Sequence, residues 1–347
     1  MRLCVQNTII GSMKNRLIPG IVLMLTSIFF FSACTPVEKT SESFALDTIC
    51  TQQVRGAKAD AAINAVNEML TRITRELSVN EGSYYYAINE GAQQPVEVST
   101  EAAALVSEAL RIADETGGAF DPTIGPVSRL WNISEEPRVP SADEIAAALP
   151  LVNYKDVTVE ENTVTLAKSG MLLDLGGIAK GLAADLAIQI YEQYGIDSAI
   201  VNLGGNVYVY GEREGGGAYR IGLRDPLGAQ SHYAAVISVQ NTSVVTSGVY
   251  ERFFESGGKT YHHLFDPKTG YPTDNALLAV TVVCKSSTEA DALSTALFVM
   301  GLKKGLAFAE QRDGVEAVFF TEDKEIYVTS GLEANVEITN EAYTLKS

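Results

Sequence analysis

Asp174-Leu175-Gly176-Gly177-Ile178-Ala179-Lys180-Gly181 lies between an apolar run, Met171 to Leu173, and a stretch in which Ile178, Leu182, Leu186 and Ile190 recur every fourth residue. That order reads as strand, glycine turn and amphipathic helix. Gly176 and Gly177 let backbone approach a ligand closely, and a helix start offers unpaired N–H groups and a positive dipole end. Lys180 adds a cation and Asp174 an anion, so the stretch has the shape of a phosphate-binding turn. A plain strand-to-helix turn with an exposed lysine satisfies the same pattern. The glycine spacings of a Walker loop or a dinucleotide fingerprint are absent.

Outward from this stretch, helices and strands alternate irregularly. Ala57 to Leu77 carries Ile63, Val66, Leu70, Ile73 and Leu77 on one helical face, and Ser99 caps a second helix running to about Thr116. Ser141 to Leu149 reads as a short helix, Thr288 to Met300 and Leu302 to Gln311 as two more. Strands are expected at Phe44 to Val54, Asp156 to Val159, Thr163 to Leu166 and Met171 to Leu173. Further ones fall at 198–203, 206–210, 219–223, 233–239, 243–246, 260–265, 278–284, 315–320 and 325–328. Ser78 to Pro95 reads as a loop whose Ser83-Tyr84-Tyr85-Tyr86 offers aromatic surface either to a flat ligand or to the body. Many strands with few helices imply an α+β fold of mixed, mainly antiparallel sheets with packed helices.

The chain has 347 residues, 46% hydrophobic and 20% charged, and a net charge of −17. It can bury a large core, and its acidity excludes nucleic acid as an expected partner. Lys14 and Arg16 precede an apolar run, Leu17 to Phe31, that ends in Ser32-Ala33-Cys34. This has the form of a secretory signal, with an uncleaved anchor as the alternative; either puts the body outside the cytoplasm. The expected division is residues 1–33 as signal peptide, 34–43 as a polar tether and 44–347 as one domain. Cys50 and Cys284 remain, as a disulfide or as two buried thiols.

Three other stretches carry chemistry. Gly117 to Pro126, with three glycines and two prolines, must be a fixed loop, and it presents Asp121. On the helix from Thr288, Asp291 with Ser294 and Thr295 at i+3 and i+4 share a face, an oxygen set that can hold a hard cation or simply face solvent. Tyr261-His262-His263-Leu264-Phe265-Asp266-Pro267 is a strand entering a turn, so the two histidines point to opposite faces.

Phe120 to Pro126, Asp174 to Gly181, Asn202 to Asn206, Thr246 to Arg252, His262 to Gly270 and Ala290 to Ala296 together resemble, in this order, the ApbE family of FAD:protein FMN transferases, over roughly Phe44 to Leu332. The resemblance implies a T-fold-like architecture. It also implies a reaction in which Mg²⁺-bound FAD is split at its pyrophosphate, FMN joins a Thr or Ser of an exported flavoprotein, and AMP leaves. Gly177, Asp291 and Thr295, with Ser294, become metal ligands; Leu46, Ala119, Phe120, Asp121, Asp174, Lys180 and Phe265 line the FAD site. Ser83 and Tyr84 fall at the flavin contact, although relatives usually carry an acid and a smaller apolar residue there. His263 becomes the candidate general base, with Asp266 as assistant or competitor. Cys34 resembles the lipidated cysteine of a bacterial lipoprotein, which implies an extracytoplasmic enzyme anchored to the membrane by lipid. An FAD pyrophosphatase and a non-catalytic flavin carrier remain as alternatives.

Overall fold

The computed structural model describes residues 38–229 and 231–346, so the expected signal peptide and Cys34 lie outside the described residues. The described chain opens with a hairpin, β1 (Glu38–Ala45) and β2 (Thr48–Arg55), then α1 (Ala59–Glu76), α2 (Tyr84–Glu90), β3 (Val96–Glu97) and α3 (Thr100–Glu115). Two short helices, α4 (Gly125–Trp131) and α5 (Ala142–Ala148), precede β4 (Val157–Glu160), β5 (Thr163–Leu166) and α6 (Ala179–Tyr194). Strands follow as β6 (Ser198–Leu203), β7 (Asn206–Gly211), β8 (Tyr219–Arg224), β9 (Tyr233–Val239), β10 (Thr242–Gly248), β11 (Phe253–Ser256), β12 (Lys259–His262) and β13 (Leu277–Cys284). The chain closes with α7 (Ser287–Met300), α8 (Leu302–Glu310), β14 (Glu316–Thr321), β15 (Glu325–Val328), β16 (Val336–Ile338) and β17 (Thr344–Lys346).

Nine strands form the central sheet in the order β1-β2-β6-β7-β10-β13-β14-β15-β17, and among its pairs only β15 with β17 is parallel. The α+β architecture expected from the sequence is therefore present. Period-two alternation sends Val245, Val280, Val282, Ala317 and Phe319 to a core shared with α3, α7 and α8. Their neighbours Val244, Ala279, Val283, Val318 and Phe320 go to a core shared with the small sheet β16-β9-β8. Both faces are thus covered, which is why β13 is buried at every position.

Helices α6 and α7 meet closely at their first turns. A Cβ on Gly181 would lie 2.3 Å from the Ser287 carbonyl oxygen, so only glycine fits. The two helices cap each other. Asp185 of α6 accepts N–H bonds from Ser287 at 2.7 Å and Thr288 at 2.9 Å, while Asp291 of α7 accepts the Gly181 N–H at 2.9 Å. The stripe Leu182, Leu186 and Ile190 is only half buried; Ala183, Ala184, Ala187 and Tyr191 form the fully buried face, small residues letting neighbouring helices approach.

Several local expectations need correction. Glu38 to Ser43, expected as part of a polar tether, pair with β2 as an edge strand. Its polar residues hide it from a hydrophobic pattern. The single strand expected at Phe44 to Val54 is a hairpin bent at Leu46 and Asp47, whose φ values of 50° and 57° make a two-residue turn of primed type. The Ser78 to Pro95 loop contains α2, N-capped by Ser83, whose hydroxyl accepts the Tyr86 N–H at 2.9 Å. Met171 to Leu173 joins no sheet: the Asn89 side chain takes the place of a neighbouring strand, accepting the Leu173 N–H at 2.7 Å and donating to its carbonyl at 3.2 Å. Pro126 sits in the first turn of α4 rather than in a loop. Cys50 and Cys284 are buried free thiols, and burial raises the pKa of both, that of Cys284 to about 12.

Candidate active site

The glycine turn and α7 meet at the wall of a cleft of about 1000 Å³. A Cβ on Gly177 would lie 3.6 Å from Thr295 Oγ1 and 3.3 Å from the Phe120 ring, which places turn, helix and the loop before α4 at one point. Lys180 Nζ stands 3.5 Å from Asp291 Oδ1 and donates to the Gly176 carbonyl at 3.2 Å. Asp174 Oδ1 accepts the Gly176 N–H at 3.0 Å and so holds the turn. The first amides of α6 are largely used inside the protein: Ile178 and Ala179 donate to the Leu175 carbonyl, Gly181 to Asp291. What this wall offers a ligand is mainly oxygen, from Asp291, Thr295 and the glycine carbonyls, with one mobile ammonium. Such a set can hold a hard cation that in turn carries phosphate.

Further lining residues of the same cleft, Glu251, Arg252 and His263 among them, come from the segment that follows β10. His262 is buried, with Nε2 3.0 Å from the Thr273 carbonyl and Nδ1 accepting the Leu264 N–H at 3.2 Å; its ring meets Phe298 edge-on. Both nitrogens are occupied, and burial lowers its pKa. His263 lines the cleft instead. Its Nδ1 lies 3.3 Å from the Arg252 carbonyl, an acceptor only, so that nitrogen carries the proton and Nε2 keeps its lone pair. Burial first, then the Arg252 charge, hold this imidazole down at about 3. Trp131 supports the region from behind: it packs on Phe254, Tyr261 and Phe265 and donates to the Gly270 carbonyl at 2.9 Å.

Glu251 is the residue that reasoning from sequence missed. It is open to the solvent of the cleft, yet the surrounding walls push its carboxyl up to about 7, against the opposing pull of Lys180. Concavity reconciles the two: water reaches the group, while protein fills most of the space around it. It makes no ion pair with Lys180, Arg252 or Arg224. The available signal was an acid and a base at the end of β10, just before a hairpin whose first strand, β11, was also missed.

Independent comparisons bear on this geometry. A model described as the ApbE family matches residues 46–319. The chain belongs to the ApbE family. It is 36% identical over 331 residues to the FAD:protein FMN transferase of Treponema pallidum, covering 89% of this chain and 91% of that protein. It is 38% identical over 276 residues to one from Klebsiella pneumoniae, covering 78% and 85%. Among solved structures it is similar to the ApbE protein of Thermotoga maritima, with a TM-score of 0.80, 35% identity and coverage of 85% and 98%. The flavin transferase ApbE from Vibrio cholerae is similar at a TM-score of 0.78, with 27% identity and coverage of 86% and 99%.

The expected ApbE site residues divide into two groups. Leu46, Ala119, Phe120, Asp121, Asp174, Gly177, Lys180, His263, Phe265, Asp291 and Thr295 all line the one cleft. Asp121 does so mainly as a brace: its carboxylate accepts the Thr123 N–H at 2.8 Å, the Thr123 hydroxyl at 2.6 Å and the Tyr154 N–H at 3.1 Å, and burial raises its pKa. Four others are not among the lining residues. Ser294 is fully buried and bonded to Ser247 Oγ at 2.7 Å and to the Asp291 carbonyl at 2.8 Å, so its hydroxyl braces α7. Asp266 Oδ1 accepts the Lys268 N–H at 2.9 Å and shapes the turn. Ser83 caps α2, and Tyr84 packs against the core beside α3. Tyr85 donates to the Leu173 carbonyl at 2.6 Å, steadying the approach to the glycine turn.

Proposed function

We infer that this chain is an Mg²⁺-dependent FAD:protein FMN transferase, exported and lipid-anchored through Cys34. One observation carries the reading: Gly177, Lys180, Asp291 and Thr295 converge on one point of a cleft that also holds His263. The donor set fits Mg²⁺, which takes one or two carboxylates with hydroxyl, carbonyl, water and phosphate oxygens. Asp291, Thr295 and the Gly177 carbonyl would hold it. Among the described residues no three His, Cys, Asp or Glu side chains gather as a metal cage, so an ion held by these few oxygens would depend on substrate phosphates and water for its other ligands. When bound, the ion neutralises charge on the pyrophosphate oxygens.

The protein's own groups then divide the work. Lys180 offsets charge on the phosphates, and the glycine turn brings them to the wall. The hydroxyl oxygen of the acceptor's Thr or Ser attacks the phosphorus of the FMN half, the bond to the AMP oxygen breaks, and His263 Nε2 takes the hydroxyl proton. The imidazole is neutral at working pH, and an anionic pyrophosphate beside it would raise its proton affinity toward what a base needs. AMP release from FAD, followed as Mg²⁺ is titrated and then chelated, tests the reading. Release that is indifferent to chelation would remove the metal from it.

A further inference from the structure

The small sheet ends at an open edge. β8 pairs with β9 on one side and has no strand neighbour on the other among the described residues, yet Ile221, Gly222, Leu223 and Arg224 from this strand line the cleft. Natural edge strands inside a domain are usually covered, bulged or charged, because a free ladder invites another strand. β8 carries two arginines and a register shift only at its end, between Leu223 and Arg224, and no strand covers it among the described residues, beside the centre where a polypeptide hydroxyl must react. Tyr233, 53% exposed, lies flat across Gly222, where a Cβ would come within 2.6 Å of its ring. Ile49, 57% exposed, lines the cleft too.

Arg224 ends β8. Its guanidinium stacks 4.2 Å over the Tyr250 ring, its Nε is buried without a hydrogen-bond partner, and it forms no ion pair among the described residues. Arg252, in the same cleft, is likewise unpaired. In the cleft, the buried and unsatisfied Nε of Arg224, with Arg252 nearby, leaves a donor that an external anion can meet.

We propose that the acceptor polypeptide docks as an added strand on the open edge of β8, with an acidic side chain held by Arg224 and its hydroxyl residue carried on to the glycine turn. This rests on the transferase reading and names how that enzyme takes its protein substrate. Backbone bonding to the strand supplies affinity independent of sequence, and Arg224 supplies selectivity. Ile49 and Tyr233 cover the apolar side of the segment.

The test uses the mature chain and two synthetic peptides of strand-forming composition, each with one Thr, one carrying an Asp and its twin an Asn. Hydrogen exchange is followed in β8, and AMP release and peptide-bound FMN in the same samples. The Asp peptide should slow exchange across Tyr219–Arg224, while FAD alone does not. The Asn twin, and the Asp peptide with Arg224→Gln, should bind about tenfold or more weakly. Protection of β8 by FAD alone, equal binding of the two peptides, or unchanged binding of the Asp peptide to Arg224→Gln would each overturn the proposal. A chain that protects β8 with peptide but leaves FAD intact would sink the transferase reading and leave the docking strand standing.

Discussion

Asp291 has two jobs that substitution can separate. Its Oδ2 accepts the Gly181 N–H at 2.9 Å, closing the first turn of α6, and its Oδ1 faces Lys180 at 3.5 Å. Asp291→Ala removes both and leaves a buried amide without an acceptor. A hydrogen bond to a charged group contributes about 1.5–3 kcal/mol, which for a domain of this size is a Tm drop of roughly 3–10 °C. Asp291→Asn keeps an oxygen for Gly181, so its Tm should fall by less than half as much. Catalysis should not follow the same order. A carboxylate attracts a unit charge about 4 Å away by about 4 kcal/mol at an effective dielectric near 20; losing it should weaken Mg²⁺ binding roughly 10²–10³-fold in both variants. Calorimetry or thermal circular dichroism gives the first comparison, and Mg²⁺ dependence of AMP release the second. Asn activity near wild type, or activity that tracks Tm across the pair, would refute the division.

Other outcomes follow from the same geometry. His263→Ala should slow transfer about 10²–10⁴-fold with little change in Tm. His262→Ala should instead lower Tm, because its ring joins Thr273, Leu264 and Phe298; the reverse pattern would exchange their roles. The Glu251 carboxyl sits above its ordinary value in the folded chain, so the folded state binds its proton more tightly than the unfolded one. Stability should therefore fall as pH rises from about 4.5 to about 7, and the fall should shrink in Glu251→Gln; identical pH profiles of Tm would contradict this. Cys34→Ala should abolish incorporation of labelled fatty acid, and persistent labelling would place the anchor elsewhere.

Elements with strong periodicity were legible in the chain. The alternation in Ser198–Leu203 and Tyr233–Val239 and the buried face of Ala59–Glu76 gave those elements close to their observed ends. What escaped were elements held by long-range partners. β1 is polar from Glu38 to Ser43 and exists because β2 pairs with it. Leu173 looks like strand, but its partner is Asn89, 84 residues earlier. The wall of the cleft showed in its glycines and in the spacing of Asp291 and Thr295. The braces did not: that Ser294 turns to Ser247 and Asp266 to Lys268 depends on neighbours a local pattern cannot supply. Glu251 was invisible for a related reason, since its chemistry arises from the walls around it and its own sequence neighbourhood is that of an ordinary solvent-facing turn.

The most direct measurement is a product balance. The protein is incubated with FAD, Mg²⁺ and an exported flavoprotein carrying a free acceptor threonine, and AMP, free FMN and protein-bound FMN are counted by chromatography and intact mass. The account predicts AMP and protein-bound FMN in equal amounts, with the bound flavin lost when the acceptor threonine becomes valine. AMP accompanied by free FMN alone, at the same rate with and without the acceptor, would contradict it.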